Sequence, residues 1–186
     1  MPAFVNGKAF TKDATATGRV VIRIAEQNSG LGGSTVRNTL DVADDHLARP
    51  GDLLFARSGS LTLHRWFREE RIVNQHIFKV VPQNGTPTWL MYQALQAKLA
   101  AFRAIAADKA TTMGHIQRKY LEEPVHLPSE TAIATVDPIT TSLWDRALAA
   151  EQESLILTEL RDTLLPELMS GRMRVTNAER QVESVV

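Results

Sequence analysis

Cysteine is absent from all 186 residues. Its absence excludes disulfides, thiolate metal sites and a cysteine nucleophile, and agrees with a reducing compartment. Apolar runs of membrane-span length are also missing, and the opening MPAFVNGKAF has neither a basic start nor an apolar signal core. The expected location is therefore the cytoplasm, with no membrane partner. The five histidines, His46, His64, His76, His115 and His126, lack metal-ligand spacing, so no metal is expected. Asp44-Asp45-His46 reads as a solvated turn. There is no G-x-S-x-G elbow, Walker loop or paired-carboxylate motif, and no catalytic residue is assigned. Asp137-Pro138-Ile139-Thr140 lacks the second proline and the aromatic of an adenine-methylating motif. The expectation is a chain that performs no chemistry.

With 44% apolar and 23% charged residues, the composition is that of a globular protein long enough for one packed domain and an appendage. The formal net charge of zero hides an asymmetry. Residues 1–136 carry 16 Lys and Arg against 12 Asp and Glu, whereas 137–186 carry 5 against 9. A basic body is compatible with a nucleic-acid partner, and an acidic tail is not.

The longest periodic stretch is 137–171, read as one helix with Asp137 as N-cap, Pro138 in the first turn and Gly171 as a left-handed C-cap. Ile139, Leu143, Ala147, Ala150, Leu157, Leu164 and Leu168 recur at helical spacing, and Trp144, Leu148, Leu155 and Leu160 widen the stripe. The stripe persists for about four heptads, roughly 40 Å at about 1.5 Å per residue, and such a helix needs a partner for its apolar side. Asp145, Glu151, Glu153, Glu159, Asp162 and Glu167 dominate its other face. The domain reading is a body at 1–135, a helix at 136–172 and a polar, frayed tail at 173–186.

Within the body, Arg19–Ala25 reads as a buried strand, and the glycine-rich 28–38 as a mobile surface loop without phosphate-loop spacing. Arg49-Pro50-Gly51-Asp52 turns into the apolar strand Leu53–Ala56. Next, Arg57, His64, Arg65, Arg68 and Arg71 interleave with Trp66 and Phe67, a mixture that can hold phosphates and pack on sugars or bases. Arg71–Val81 reads as one strand whose central Asn74, Gln75 and His76 need partners. A helix follows from Thr86-Pro87, with Met91, Leu95, Leu99, Phe102 and Ala106 as its buried stripe. Thr111 and Thr112 are read as caps of a short helix at 115–123 whose free N–H groups, beside Lys109, Arg118 and Lys119, suit a phosphate. Val125–Pro128 reads as a closing strand.

Three segments in this order, GDLLFARSGS at 51–60, NQHIFKV at 74–80 joined later to TTMGHIQRKYLEEPVHLP at 111–128, and ELRDTLLPELMSGRMRV at 159–175, are similar to the specificity subunit of type I restriction-modification systems. VNGKAF and VVIRI resemble the start of a target-recognition domain of that family. The resemblance implies an α/β (α+β) recognition domain followed by a long coiled-coil-type helix. It further implies a noncatalytic subunit that binds double-stranded DNA and directs methyltransferase subunits and endonuclease/translocase subunits to a bipartite target. S-adenosylmethionine, ATP and Mg are expected only on those partner subunits.

A full family member has two such domains joined by two antiparallel helices. This chain matches one domain and one helix, and its Met1 falls almost on the VNGKAF motif. Two readings follow: a half-subunit that restores the plan as an antiparallel homodimer through Leu143, Ala147, Ala150, Leu157, Leu164 and Leu168, or a truncated or regulatory fragment that binds the methyltransferase without reading DNA. The expected DNA contacts are Arg57, Ser58, Ser60, His64, Arg65 and Arg68, with Asn74 and Gln75 as base readers because a paired amide suits adenine. Lys109, Thr111, Thr112, His115, Arg118 and Lys119 are expected to position phosphates.

Overall fold

The computed structural model describes residues 2–12, 14–108, 115–121 and 123–183, apart from the side chain of Asp108. The architecture is mixed α and β with a long helix towards the C-terminus, and the chain divides into two compact units, Met1–Trp144 and Asp145–Val186. In chain order the first unit holds β1 (Ala3–Asn6), β2 (Arg19–Ile22), α1 (Ile24–Ser29), β3 (Arg37–Asn38), β4 (Leu47–Ala48), β5 (Leu53–Ala56), β6 (Leu63–Arg65), β7 (Arg71–Val73), β8 (Ile77–Val81), α2 (Thr88–Asp108) and the single turn α3 (Arg118–Leu121). The strands form two four-stranded sheets, ordered β1-β8-β5-β6 and β3-β2-β7-β4. All pairs are antiparallel except β2 with β7.

The run Leu53-Leu54-Phe55-Ala56 has no polar position because both of its faces are covered. Leu53 and Phe55 point into the core beneath α2, where Met91, Leu95, Leu99 and Phe102 meet them, and the Phe55 and Phe102 rings sit edge to face at 6.1 Å. Leu54 points the other way and joins Ile22, Ala48, Trp66, Val73 and Ile77 between the two sheets. The stripe expected for α2 is the one that is buried.

Several expectations about elements of the body are corrected. The strand at 19–25 stops at Ile22, because Glu26 reaches back to the Arg23 backbone N–H and starts α1. Arg71–Val81 is two strands in different sheets. Its polar trio is the turn between them, where Asn74 pairs its backbone with Ile22 and Ile77. Gly7 is required here, since a Cβ on it would lie 2.2 Å from the Asn74 carbonyl oxygen. Val125–Pro128 has no regular structure and is exposed, and among the described residues the short helix comprises Arg118–Leu121.

The long helix α4 (Glu130–Met169) begins seven residues before Asp137, capped by the Ser129 hydroxyl, which accepts from the Ala132 N–H at 3.2 Å. Pro138 therefore lies inside the helix, where it offers no N–H to the Ala134 carbonyl. Asp137 is an anchor instead of a cap, accepting from Trp89 Nε1 at 2.7 Å and Thr141 Oγ1 at 2.8 Å. Gly171, at φ 72°, does end the helix region. The tail is ordered as α5 (Val175–Glu183), with Ala178 buried.

Candidate nucleic-acid interface

Strand directions gather the polar residues at one end of the first unit. The C-terminal ends of β1, β2, β5 and β7 and the N-terminal ends of β6 and β8 meet there, and α2 returns to it. Arg57 follows β5 and is fixed through its backbone on both sides. Its N–H donates to the His76 carbonyl at 3.0 Å, and its own carbonyl accepts from the Ile116 N–H at 3.1 Å. Its guanidinium lies 5.4 Å from the centre of the Phe78 ring, so the charge is held in place rather than swinging in solvent. The His76 and His115 rings are 5.9 Å apart. Burial first, then the charge of Arg57 and then His115, holds the His76 imidazole below its ordinary range.

Arg57 Nε, His76 Nδ1, Asn74 Oδ1 and Gln27 Oε1 are buried without a hydrogen-bond partner among the described residues, and all four lie at this end. Such atoms are unusual in a folded interior, although His46 Nδ1 and Arg71 Nε share the condition elsewhere in the unit. Glu26, also buried here, is the contrasting case. Burial alone would raise its carboxyl, but the Arg23 side chain and backbone N–H groups hydrogen-bond it and bring it below the usual carboxylate range.

A second cluster adjoins the first. Asn28, in the last turn of α1, accepts from Thr62 Oγ1 at 2.9 Å, faces His64 Nε2 at 3.1 Å and reaches Ser60 Oγ at 3.4 Å. Arg103 of α2 holds the same loop from its other side through the Leu61 carbonyl at 3.1 Å. Arg68 lies over the Phe67 ring and next to Gly30, just beyond α1. The glycine-rich segment is tied back at its far end, where Arg23 donates to the Ser34 carbonyl.

The structure thus brings together Arg57, Ser60, His64, Arg68, Gln75 and His115, with exposed Arg118 and Lys119 following on α3. Ser58 (7% exposed) and Asn74 (4%) are buried, so neither presents its side chain to a base. Arg65 is engaged elsewhere, donating to the Trp144 carbonyl and stacking 4.3 Å from the Trp144 ring. Trp66 is core, and its indole N–H donates to the Glu69 carbonyl at 2.9 Å. Lys109, Thr111 and Thr112 lie outside the described residues. Sequence reasoning missed Asn28 and Thr62, single polar residues whose only signal is their place beside glycine- and serine-rich turns.

On α4, Leu143 is 65% exposed and Leu157 45%, with Ala147 and Ala150 also exposed. Leu164, expected on that open face, is buried, and Leu168 is half-buried. The apolar face open to a partner therefore runs through Ile139, Leu143, Ala147, Ala150 and Leu157.

Among the described residues no three His, Asp or Glu side chains gather as a metal-binding group, and no helix is long and apolar enough to cross a membrane. A mainly apolar groove of about 240 Å³ is lined by Pro2, Met91, Leu95, Leu121, Val125 and Leu127, with Thr86 and Glu123 as its polar members.

No family model matches the chain. No curated protein matches it either. Among solved structures, one described as "Structural basis underlying complex assembly and conformational transition of the type I R-M system" contains a chain similar to this one, with 16% identity and a TM-score of 0.49. The match covers 89% of this chain and 43% of that one, so this chain spans less than half the length of that neighbour.

Proposed function

We propose that the chain is a noncatalytic, sequence-specific DNA-recognition subunit of a type I restriction-modification complex. The observation that carries this reading is the gathering of Arg57, Gln75, His76 and His115 with the Asn28–Ser60–His64 cluster at one end of the two-sheet unit, with buried donors and acceptors left unmatched. Fixed guanidinium and amide groups suit base edges, whereas the exposed Lys119 suits phosphates. The order of the motifs in the sequence supports the same family. The open face of α4 supports pairing with a second copy, antiparallel, so that two identical units address an interrupted palindrome. Methyltransferase subunits and endonuclease subunits are the expected partners, and the chemistry and its cofactors belong to them.

Methylome sequencing of cells carrying the chain with its cognate methyltransferase, against cells lacking the chain, tests this. The expected result is one symmetric bipartite motif. Methylation without sequence preference, or stable methyltransferase binding with no DNA footprint, would sink the reading and favour a fragment that only occupies the enzyme. In binding measurements, Lys119→Ala should lower the salt dependence by roughly one counterion without changing the motif.

A further inference from the structure

Three segments that are distant in sequence hold Arg57, His76 and His115 together. The Arg57 N–H donates to the His76 carbonyl, and the Arg57 carbonyl accepts from Ile116, the residue after His115. The two imidazole rings lie 5.9 Å apart, and the charges that act on His76 are those of Arg57 and His115. Lys8, which follows β1 and bridges to Asn74 through the backbone, adds an exposed cation on that side of the turn. None of the ion pairs formed among the described residues includes Arg57, His76 or His115. Glu26, the carboxylate buried at this end, is taken by Arg23. His76 Nδ1 is buried with no acceptor among the described residues, and Nε2 lies 3.4 Å from the Gln75 amide nitrogen. Burial and neighbouring positive charge both work against a second ring proton, so the free chain carries His76 neutral at pH 7.

An anion placed here acts in the opposite sense. It meets the guanidinium held over the Phe78 ring, and a negative charge within about 6 Å favours the imidazolium. Base edges carry no net charge and leave the excess of cations standing, whereas a phosphodiester balances it. We propose that Arg57, His76 and His115 form a phosphodiester site and that His76 takes up a proton when DNA occupies it. This rests on the DNA-recognition function proposed above, adds His76 to its contacts and places Arg57 on the backbone rather than on a base. The sign follows from linkage. A histidine whose value is higher in the complex than in the free chain adds affinity as pH falls through the bound value, and the gain stops below the free value. One such proton changes affinity by at most about tenfold per pH unit.

The test is calorimetric titration of a duplex carrying the methylated motif into the full chain with its methyltransferase partner. Titrations at constant ionic strength from about pH 6 to about pH 8.5, in buffers of different ionisation enthalpy, count the protons taken up. The wild type should take up about half a proton or more near neutral pH and bind about fivefold or more tightly at pH 6 than at pH 8. His76→Gln keeps a polar side chain that does not titrate, so the uptake and the pH dependence should fall away while the methylated motif stays the same. No uptake by the wild type, or the same uptake in His76→Gln, overturns the proposal and leaves DNA recognition standing. Should the variant melt early, the imidazole carbon shifts of His76 in the wild type decide the point, since their titration midpoint must rise when duplex is added. Inorganic phosphate at matched ionic strength should leave that midpoint where it was. An equal rise would make this a site for free anions and overturn the assignment to DNA. A wild-type complex that methylates no motif overturns DNA recognition, and this contact with it.

Discussion

The two-sheet body and the helix α4 treat apolar side chains in opposite ways. In the body, Leu53, Leu54, Phe55 and Ile77 are no more than 1% exposed, closed between two sheets and α2. On α4, Ile139, Leu143, Leu157, Leu165 and Met169 all stand in solvent. The sequence of both regions is rich in Leu and Ile, so composition does not make the difference. A strand buried on two faces has neighbours supplied by its own chain, while a helix face without a layer over it keeps its hydrophobic free energy for another molecule. Burying one such leucine contributes about 1.5–3 kcal/mol, enough for a few of them to drive association.

The largest expected effect follows from that contrast. Phe55→Ala removes a ring packed against Phe102 and should cost about 3–5 kcal/mol of stability, read as a lower midpoint in urea unfolding. Leu143→Asp with Leu157→Asp should leave the midpoint of the body almost unchanged while abolishing self-association in sedimentation experiments. Leu164 is unsuited to that test because it is already buried. A body midpoint that falls as far in the double variant as in Phe55→Ala would erase the distinction between the two regions.

Gly7→Ala probes the body at the point where β1 ends and the chain crosses between sheets. The new methyl group would meet backbone, the Asn74 carbonyl, which cannot swing aside. Overpacking of this kind costs about 1–3 kcal/mol, and the displacement should also disturb Gln75 and His76. The check is thermal melting alongside DNA affinity, with both expected to fall. A loss of stability at unchanged affinity would separate the 74–76 turn from the interface.

What the sequence reveals and what it hides follow the same division. The apolar run at β5 and the stripe of α2 were readable because period and burial coincide there. Residues 71–81 misled because two short strands of similar composition abut at a polar turn, and no local signal says that they belong to different sheets. The start of α4 was misplaced because Asp137-Pro138 imitates a helix N-terminus, whereas Ser129 supplies the cap and Trp89, distant in sequence, engages Asp137. Arg65 looked like its basic neighbours. Whether an arginine meets solvent or stacks on Trp144 is decided by tertiary contacts alone. Asn28 carries no pattern at all, and its partners lie more than 30 residues away.

The smallest effect concerns the place in the first unit where α4 joins the body. The Asp137 carboxyl lies below the usual carboxylate range, first because Trp89 Nε1 donates to it and then because Thr141 does. A folded-state value depressed in this way contributes stability that is present above the unfolded value, about 3.9, and is lost as pH falls through the lower folded value. Melting between pH 6 and pH 3 should therefore include a loss from this contact that appears only below about pH 4. Trp89→Phe removes the donor and returns Asp137 towards its ordinary range, so the variant starts less stable and loses less on acidification. The group is exposed, so the effect is modest and best read as a difference in slope between the two proteins. Equal slopes would mean that the ring of Trp89, and not its N–H, holds the helix to the body. The attachment of α4 would then be apolar like the core, and the contrast between the two regions would lie only in the uncovered part of the helix.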